Sequence, residues 1–164
     1  MDRRNHIVVR RGTKRDSNPF LMLISAFARF VRHKPPDAAA KRRLVRDIFS
    51  KRLLNLFVAT DGKRVVGYVL YFFTYSSFHG KANLFIEDLF VLEDYRGSGV
   101  GRLLFMKCAQ EAVTNKCGGM DWLVLKWNGK AMGFYHKLGA KRLKDTHTYR
   151  LPLDKLKQIT KNSR

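Results

Sequence analysis

Apolar residues recur along this 164-residue chain with two periods, and switching between them outlines alternating strands and helices. His6–Arg10 alternates and predicts a first strand. Over Arg15–His33, Phe20, Leu21, Leu23, Ile24, Phe27 and Val31 fall at helical spacing, and Pro35-Pro36 stops that helix. Asp37 can cap a second helix over Ala38–Leu53, with Leu44, Ile48 and Leu53 inward. Asn55–Thr60 and Arg64–Tyr75 read as strands around an Asp61-Gly62 hairpin turn. After a loop over Tyr75–Lys81, the strand Asn83–Leu92 is almost unbroken in its apolar character, which fits a central position. Val100–Asn115 is helical, with Val100, Leu103, Leu104, Cys108 and Ala112 inward. Met120–Trp127 predicts a strand, and Asn128–Leu138 a helix ended by Gly139. Lys141–Leu143 and Thr146–Leu153 are expected to close the sheet before a short helix over Asp154–Ile159. With no repeats and no linker, residues 1–164 read as a single domain.

Composition narrows the class. At 45% hydrophobic and 12% aromatic residues the chain is globular. No apolar run is long enough to span a membrane, and Met1-Asp2-Arg3-Arg4 leads into charged sequence without an apolar signal region. Two cysteines and five scattered histidines give no disulfide framework and no metal spacing. The expectation is a metal-free intracellular protein without membrane attachment, cytoplasmic or, in a eukaryote, also nuclear. Charge changes the picture most. Lys plus Arg total 33 against 13 acidic residues, a net charge of +20, so at least weak association with nucleic acid or another polyanion is expected.

Candidate chemistry starts at Arg96-Gly97-Ser98-Gly99-Val100-Gly101, between an apolar strand and a helix. Glycines there let the backbone approach a ligand, and the helix's first amides with its dipole favour an anion. The spacing is neither a Walker loop nor a dinucleotide fingerprint, and taken alone it also suits a purely steric turn. Glu87 and Asp88 lie in the apolar strand, on opposite faces if side chains alternate. Acids there are paired in a salt bridge or functional.

A second motif, Asn128-Gly129-Lys130-Ala131-Met132-Gly133-Phe134-Tyr135-His136-Lys137-Leu138-Gly139-Ala140, follows at a distance that is informative together with the first. The R-x-x-G-x-G pattern at Arg96, Gly99 and Gly101 and the N-x-x-A-x-x-F-Y-x-x-x-G-A pattern resemble the GNAT superfamily of acyl-CoA-dependent N-acetyltransferases. Within it, Tyr71-Phe72-Phe73-Thr74-Tyr75, Gly80-Lys81, Glu87-Asp88-Leu89-Phe90-Val91 and Asp94-Tyr95-Arg96-Gly97 are similar to the diamine (spermidine/spermine) branch, which includes thialysine acetyltransferase. That closer similarity covers residues 65–142.

The resemblance implies a mixed α/β fold. A central, mostly antiparallel twisted sheet carries helices on both faces, and strands splay into a V that holds CoA between Leu92 and Met120. It implies acetyl-CoA as co-substrate, held by Arg96, Gly97, Ser98, Gly99, Val100, Gly101 and Arg102 at the pyrophosphate. Leu89, Phe90 and Val91 would lie along the pantetheine arm with the Phe90 N–H as oxyanion donor, and Asn128 would contact that arm. Tyr135, a phenol protonated at neutral pH, takes the role of acid toward the leaving thiolate, or else is an aromatic anchor. Glu87 takes the role of base through water and Asp88 a structural one, and of Glu87 and Asp88, both candidates for binding the substrate, one is expected to face the site. Tyr75, Phe78 and His79 border the acceptor, while His136 reads as a solvated surface residue. The branch forms homodimers, so a dimer is expected.

The chain departs from the branch at Ser76-Ser77-Phe78-His79, where a carboxylate is missing, and at the basic run Arg29-Phe30-Val31-Arg32-His33-Lys34. Like charges there disfavour a polyamine cation, and a smaller diamine or lysine-like amine fits better. The expected activity is acetyl transfer to a primary amine of a small diamine, polyamine or lysine-like acceptor. The alternatives are a protein lysine or N-terminal acetyltransferase acting on basic peptide, and an inactive basic nucleic-acid-binding module on the same fold. The +20 charge either captures anionic CoA or serves an anionic partner.

Overall fold

In the computed structural model, residues 6–161 are described, and they fall into two compact units, one running through Leu123 and the other beginning at Val124. The first unit holds the sheet. Its elements are β1 (Ile7–Arg11), α1 (Ser17–Phe30), α2 (Ala38–Phe49), β2 (Asn55–Asp61), β3 (Arg64–Ser76), β4 (Lys81–Val91), α3 (Val100–Thr114) and β5 (Met120–Trp122). The strands lie in the order β1-β2-β3-β4-β5. Each neighbouring pair is antiparallel except β4–β5, which is parallel.

Alternation along the strands supplies two apolar faces. Leu56, Val58, Tyr68, Leu70 and Phe90 pack with Phe20, Leu23 and Ile24 of α1 and Ile48 of α2. The opposite face carries Phe57 and Tyr71, stacked at 5.4 Å, under the Val100, Leu104, Cys108 and Ala112 stripe of α3. Gly67 permits that close approach: a Cβ there would meet the Phe90 carbonyl at 3.0 Å and Leu104 Cδ1 at 3.3 Å. Asp16, buried between β1 and α1, binds the Arg10 guanidinium through both carboxylate oxygens at 2.8 Å and caps the turn from Thr13.

Two inward assignments are corrected. Leu53 is exposed because α2 already ends at Phe49. Leu103 is also exposed, and Phe105 turns inward instead, edge-on to Trp122 at 5.3 Å.

The second unit contains α4 (Gly129–Lys137) and α5 (Leu153–Lys161). Asn128 caps α4 by accepting from Ala131 N at 3.2 Å, and Gly139 follows with φ +86°. The strand expected over Met120–Trp127 stops at Trp122, and those expected over Lys141–Leu143 and Thr146–Leu153 do not form. Apolar alternation specifies a strand only where an edge accepts it. Among the described residues no ladder partner exists beyond Ile86↔Trp122 for the first, and none for the others.

Candidate active site

β4 runs five residues past its last pair with β5, so from Glu87 to Val91 its outer edge has no strand beside it among the described residues. Leu92 N donates to Val66 O at 2.9 Å, which fixes the ladder's phase. In an antiparallel pair, residues that exchange hydrogen bonds with the partner alternate with residues that face away. With Gly67↔Val91, Tyr68↔Phe90 and Val69↔Leu89 in register, Phe90 bonds to β3 while Leu89 and Val91 present N–H and C=O to the open edge. This corrects the expectation for the Phe90 N–H. The donor on the open edge at that level is Leu89 N–H, and Phe90 contributes its buried ring.

Glu87 and Asp88 do not simply alternate. Opposite β3 the register passes from Leu70↔Asp88 to Tyr71↔Ile86, leaving Glu87 as the extra residue of a β-bulge. Both carboxylates then act on one hydroxyl. Tyr68 Oη donates to Asp88 Oδ2 at 3.4 Å, and the charges of Asp88 and Glu87, behind its burial, raise the Tyr68 phenol. Burial first, then the Glu87 charge, pushes the Asp88 carboxyl up to about 6. Glu87 is exposed and Asp88 half-buried. The assignment of the two acids to opposite faces is therefore corrected: the bulge interrupts the alternation on which it depended. Tyr68 was not legible as a site residue, since an aromatic in an apolar strand reads only as core.

The glycine turn follows. Gly97 and Gly99 hold φ of +75° and +93°, and a Cβ on either would meet nothing within 4 Å, so conformation alone requires glycine on an open surface. Leu103 N–Gly99 O is α3's first bond, which leaves the amides of Gly101 and Arg102 without helical acceptors, and no acid occupies α3's first turn. This donor set fits a pyrophosphate. Ser98 Oγ is bonded to Tyr95 O at 2.7 Å, so its amide is the group left for a ligand.

Arg96 has packing partners besides the expected ligand. Its Nε donates to the Val91 carbonyl at 3.0 Å, and its guanidinium lies 4.6 Å over the Phe30 ring and 5.5 Å from that of Phe90. Through Nε the side chain braces the end of β4 against α1, while Arg96 and Arg102 are both exposed at the turn.

Tyr75, Phe78 and His79 are not brought to the acidic pair. Tyr75 lies five residues along β3 from Leu70, hence about 17 Å away, with the others farther out on the hairpin. Tyr75 and Phe78 are exposed, and His79 Nδ1 hydrogen-bonds Ser76 Oγ at 3.0 Å. In the second unit, burial pushes the Tyr135 phenol up to about 12, with Phe134 edge-on at 5.1 Å. The Asn128 oxygen serves the cap, and its amide nitrogen is the atom the cap does not use. His136 is exposed.

A model of the acetyltransferase (GNAT) family matches residues 21–140, most of the chain and part of both units. The chain belongs to the GNAT acetyltransferase family. Members of this family use acetyl-CoA as co-substrate. Among related GNAT proteins, the L-ornithine N5-acetyltransferase of Arabidopsis thaliana is 41% identical over 97 residues, 59% of this chain and 42% of its own length. The thialysine Nε-acetyltransferase of Bos taurus is 28% identical over 165 aligned positions, 93% of this chain and 96% of that one. The match thus spans under half of the plant enzyme and nearly all of the bovine one. An integron cassette protein of Vibrio cholerae superposes with a TM-score of 0.80 at 22% identity, covering 95% of this chain and 98% of that one, a likeness of fold. Among the described residues no helix is long and apolar enough to cross a membrane, and no cluster of His, Cys, Asp or Glu could hold a metal ion.

Proposed function

We propose that this protein transfers the acetyl group of acetyl-CoA to a primary amine of a small diamine, polyamine or lysine-like acceptor. One observation carries the reading: the open edge Glu87–Val91 of β4 leads directly into the Gly97–Gly101 turn, with the Glu87/Asp88 pair on the same edge. The named activities of the plant and bovine relatives, both on amino-acid side-chain amines, support the acceptor class.

In this reading the amides of the turn and of the first turn of α3, with Arg102, hold the pyrophosphate. The N–H and C=O groups of Leu89 and the N–H of Val91, whose carbonyl is taken by Arg96 Nε, align the pantetheine arm, and Leu89 N–H stabilises the charge that develops on the thioester oxygen. The Glu87/Asp88 pair attracts the ammonium and accepts its proton through water, leaving a neutral amine to attack. Tyr135, protonated at every physiological pH, gives its proton to the departing thiolate. Asn128 Nδ2 contacts the arm. The reading includes a homodimer in which the second copy covers the hairpin tip, where Phe78 is 98% exposed; light scattering at micromolar protein tests it.

The decisive experiment follows thiol release from acetyl-CoA with putrescine, spermidine, spermine, ornithine, lysine, thialysine and a lysine-containing peptide. Turnover on the smaller amines is expected. Turnover on peptide alone would move the protein to the protein-modifying class, and absence of acetyl-CoA binding would sink the enzymatic reading.

A further inference from the structure

From the last turn of α1 through α2 to the start of β2, the first unit carries a cationic corner. Residues 29–52 hold nine Lys and Arg against two acids, Asp37 and Asp47. Both acids are already engaged. Asp37 Oδ1 accepts from Ala40 N at 2.7 Å as the N-cap of α2, and Asp47 Oδ1 accepts from Arg46 Nε at 2.9 Å. Of the nine cations, Arg46 alone makes an ion pair among the described residues. Arg29, Arg32, Arg42, Arg43, Arg46 and Arg52 are all exposed.

The apolar residues of α2 point the other way. Ile48 is buried, and Leu44 and Phe49 pack on the core of α1 and the sheet. Between Val31 and Arg52 no large apolar side chain is exposed, although Phe30 and Leu53 flank the stretch. That pattern separates the kinds of partner. A membrane-surface helix inserts Leu, Phe or Trp from its exposed face, and a protein interface is centred on buried aromatic or aliphatic anchors. A phosphodiester backbone needs neither; it takes cations, each displacing condensed counterions. Arginine also offers a planar fork that suits phosphate.

We infer that the exposed face of α2, with the adjoining end of α1, is a docking surface for the phosphodiester backbone of a nucleic acid, bound without base-sequence preference. The surface uses none of the residues of the Gly97–Gly101 turn, which it meets where Arg96 lies over Phe30, so it adds a binding function beside the cofactor turn of the acetyltransferase. It places the enzyme on an anionic scaffold while the cofactor edge stays available.

The test measures binding of a fluorescein-labelled single-stranded RNA and of a duplex DNA across a salt series, for the wild-type protein and for the triple variant Arg42→Gln/Arg43→Gln/Arg46→Gln. In the wild type, log K falls linearly with log salt. In the triple variant the slope is expected to shrink by about 2 to 3, since each lost phosphate contact contributes about 0.7 to 0.9. Affinity at low salt falls at least tenfold, and acetyl-CoA turnover is retained. A matching Arg→Lys triple keeps the charge and is expected to keep the slope; together with unchanged far-ultraviolet dichroism it separates lost contacts from lost folding. An unchanged slope in the glutamine variant would place nucleic-acid binding elsewhere and overturn the inference. So would variant-sensitive binding to phosphatidylserine vesicles without RNA or DNA binding. A rise in KM for acetyl-CoA with nucleic-acid binding unaltered would make the patch a steering surface for the cofactor and overturn it as well.

Discussion

Arg96 stands at the head of the glycine turn, yet its Nε and ring-facing surfaces are engaged by Val91, Phe30 and Phe90. A brace and a phosphate clamp fail differently when removed. Arg96→Gln is expected to lower stability by about 1–2 kcal/mol, from one hydrogen bond and two cation–π contacts. It should change CoA affinity less than threefold, with its salt dependence intact; calorimetric titration with CoA reads this, and a large salt-sensitive loss would restore the clamp. Asp88 supplies a pH signature. Its folded-state value near 6 lies above the ordinary 3.8, so between those values the folded protein holds a proton that the unfolded chain releases. Stability contributed by this group is therefore lost as pH rises from about 4 to 6. Asp88→Asn is expected to stabilise the protein at pH 7.5 and leave it nearly unchanged at about pH 4, seen in denaturant midpoints at the two pH values. The acid limb of kcat/KM should fall near 6 in the wild type. Glu87→Gln should move the limb downward only in part, because burial raises Asp88 more than the Glu87 charge does.

At the scale of elements, three helices end on a cation in the left-handed region: Arg32 after α1, Arg52 after α2 and Lys116 after α3, with φ of +58°, +53° and +53°. The following backbone bonds, His33 N–Ala28 O and Cys117 N–Ala112 O, close the last turns of α1 and α3. An L side chain in this conformation costs about 1–2 kcal/mol, offset in part by about 0.3–1 kcal/mol from a positive charge at the negative helix end. Replacing Arg32 or Lys116 by Gly is expected to stabilise by about 0.5 kcal/mol each, and the two should add because the sites are independent. Urea unfolding midpoints check this. The elements up to Gly101 were legible because each announces itself locally. Asp37 caps α2, Pro35-Pro36 separates two helices, and the glycine turn joins β4 to α3. The β-bulge at Glu87 was not legible: a register shift is a property of two strands, and no residue in β4 marks it.

At the scale of the molecule, charge dominates. With +20 on 164 residues, self-repulsion opposes compactness. The melting temperature is expected to rise as salt goes from about 0.01 M to about 0.15 M, where the Debye length falls from about 30 Å to about 8 Å. Scanning calorimetry in chloride checks it, and a fall would mean that attractive pairs outweigh the repulsion.

The sequence by itself determined the family, the order of strands and helices through α3, the glycine turn between β4 and α3 and the basic character, because each rests on local spacing or on counting. Tertiary structure alone decided which backbone groups of β4 remain open, that Asp88 accepts from the Tyr68 hydroxyl, that Arg96 Nε braces the end of β4, and that 141–152 form no strand. Each of those depends on what lies beside a residue across the sheet or the core. Hydrogen-bond phase, register and an available edge exist only once a partner strand is in place.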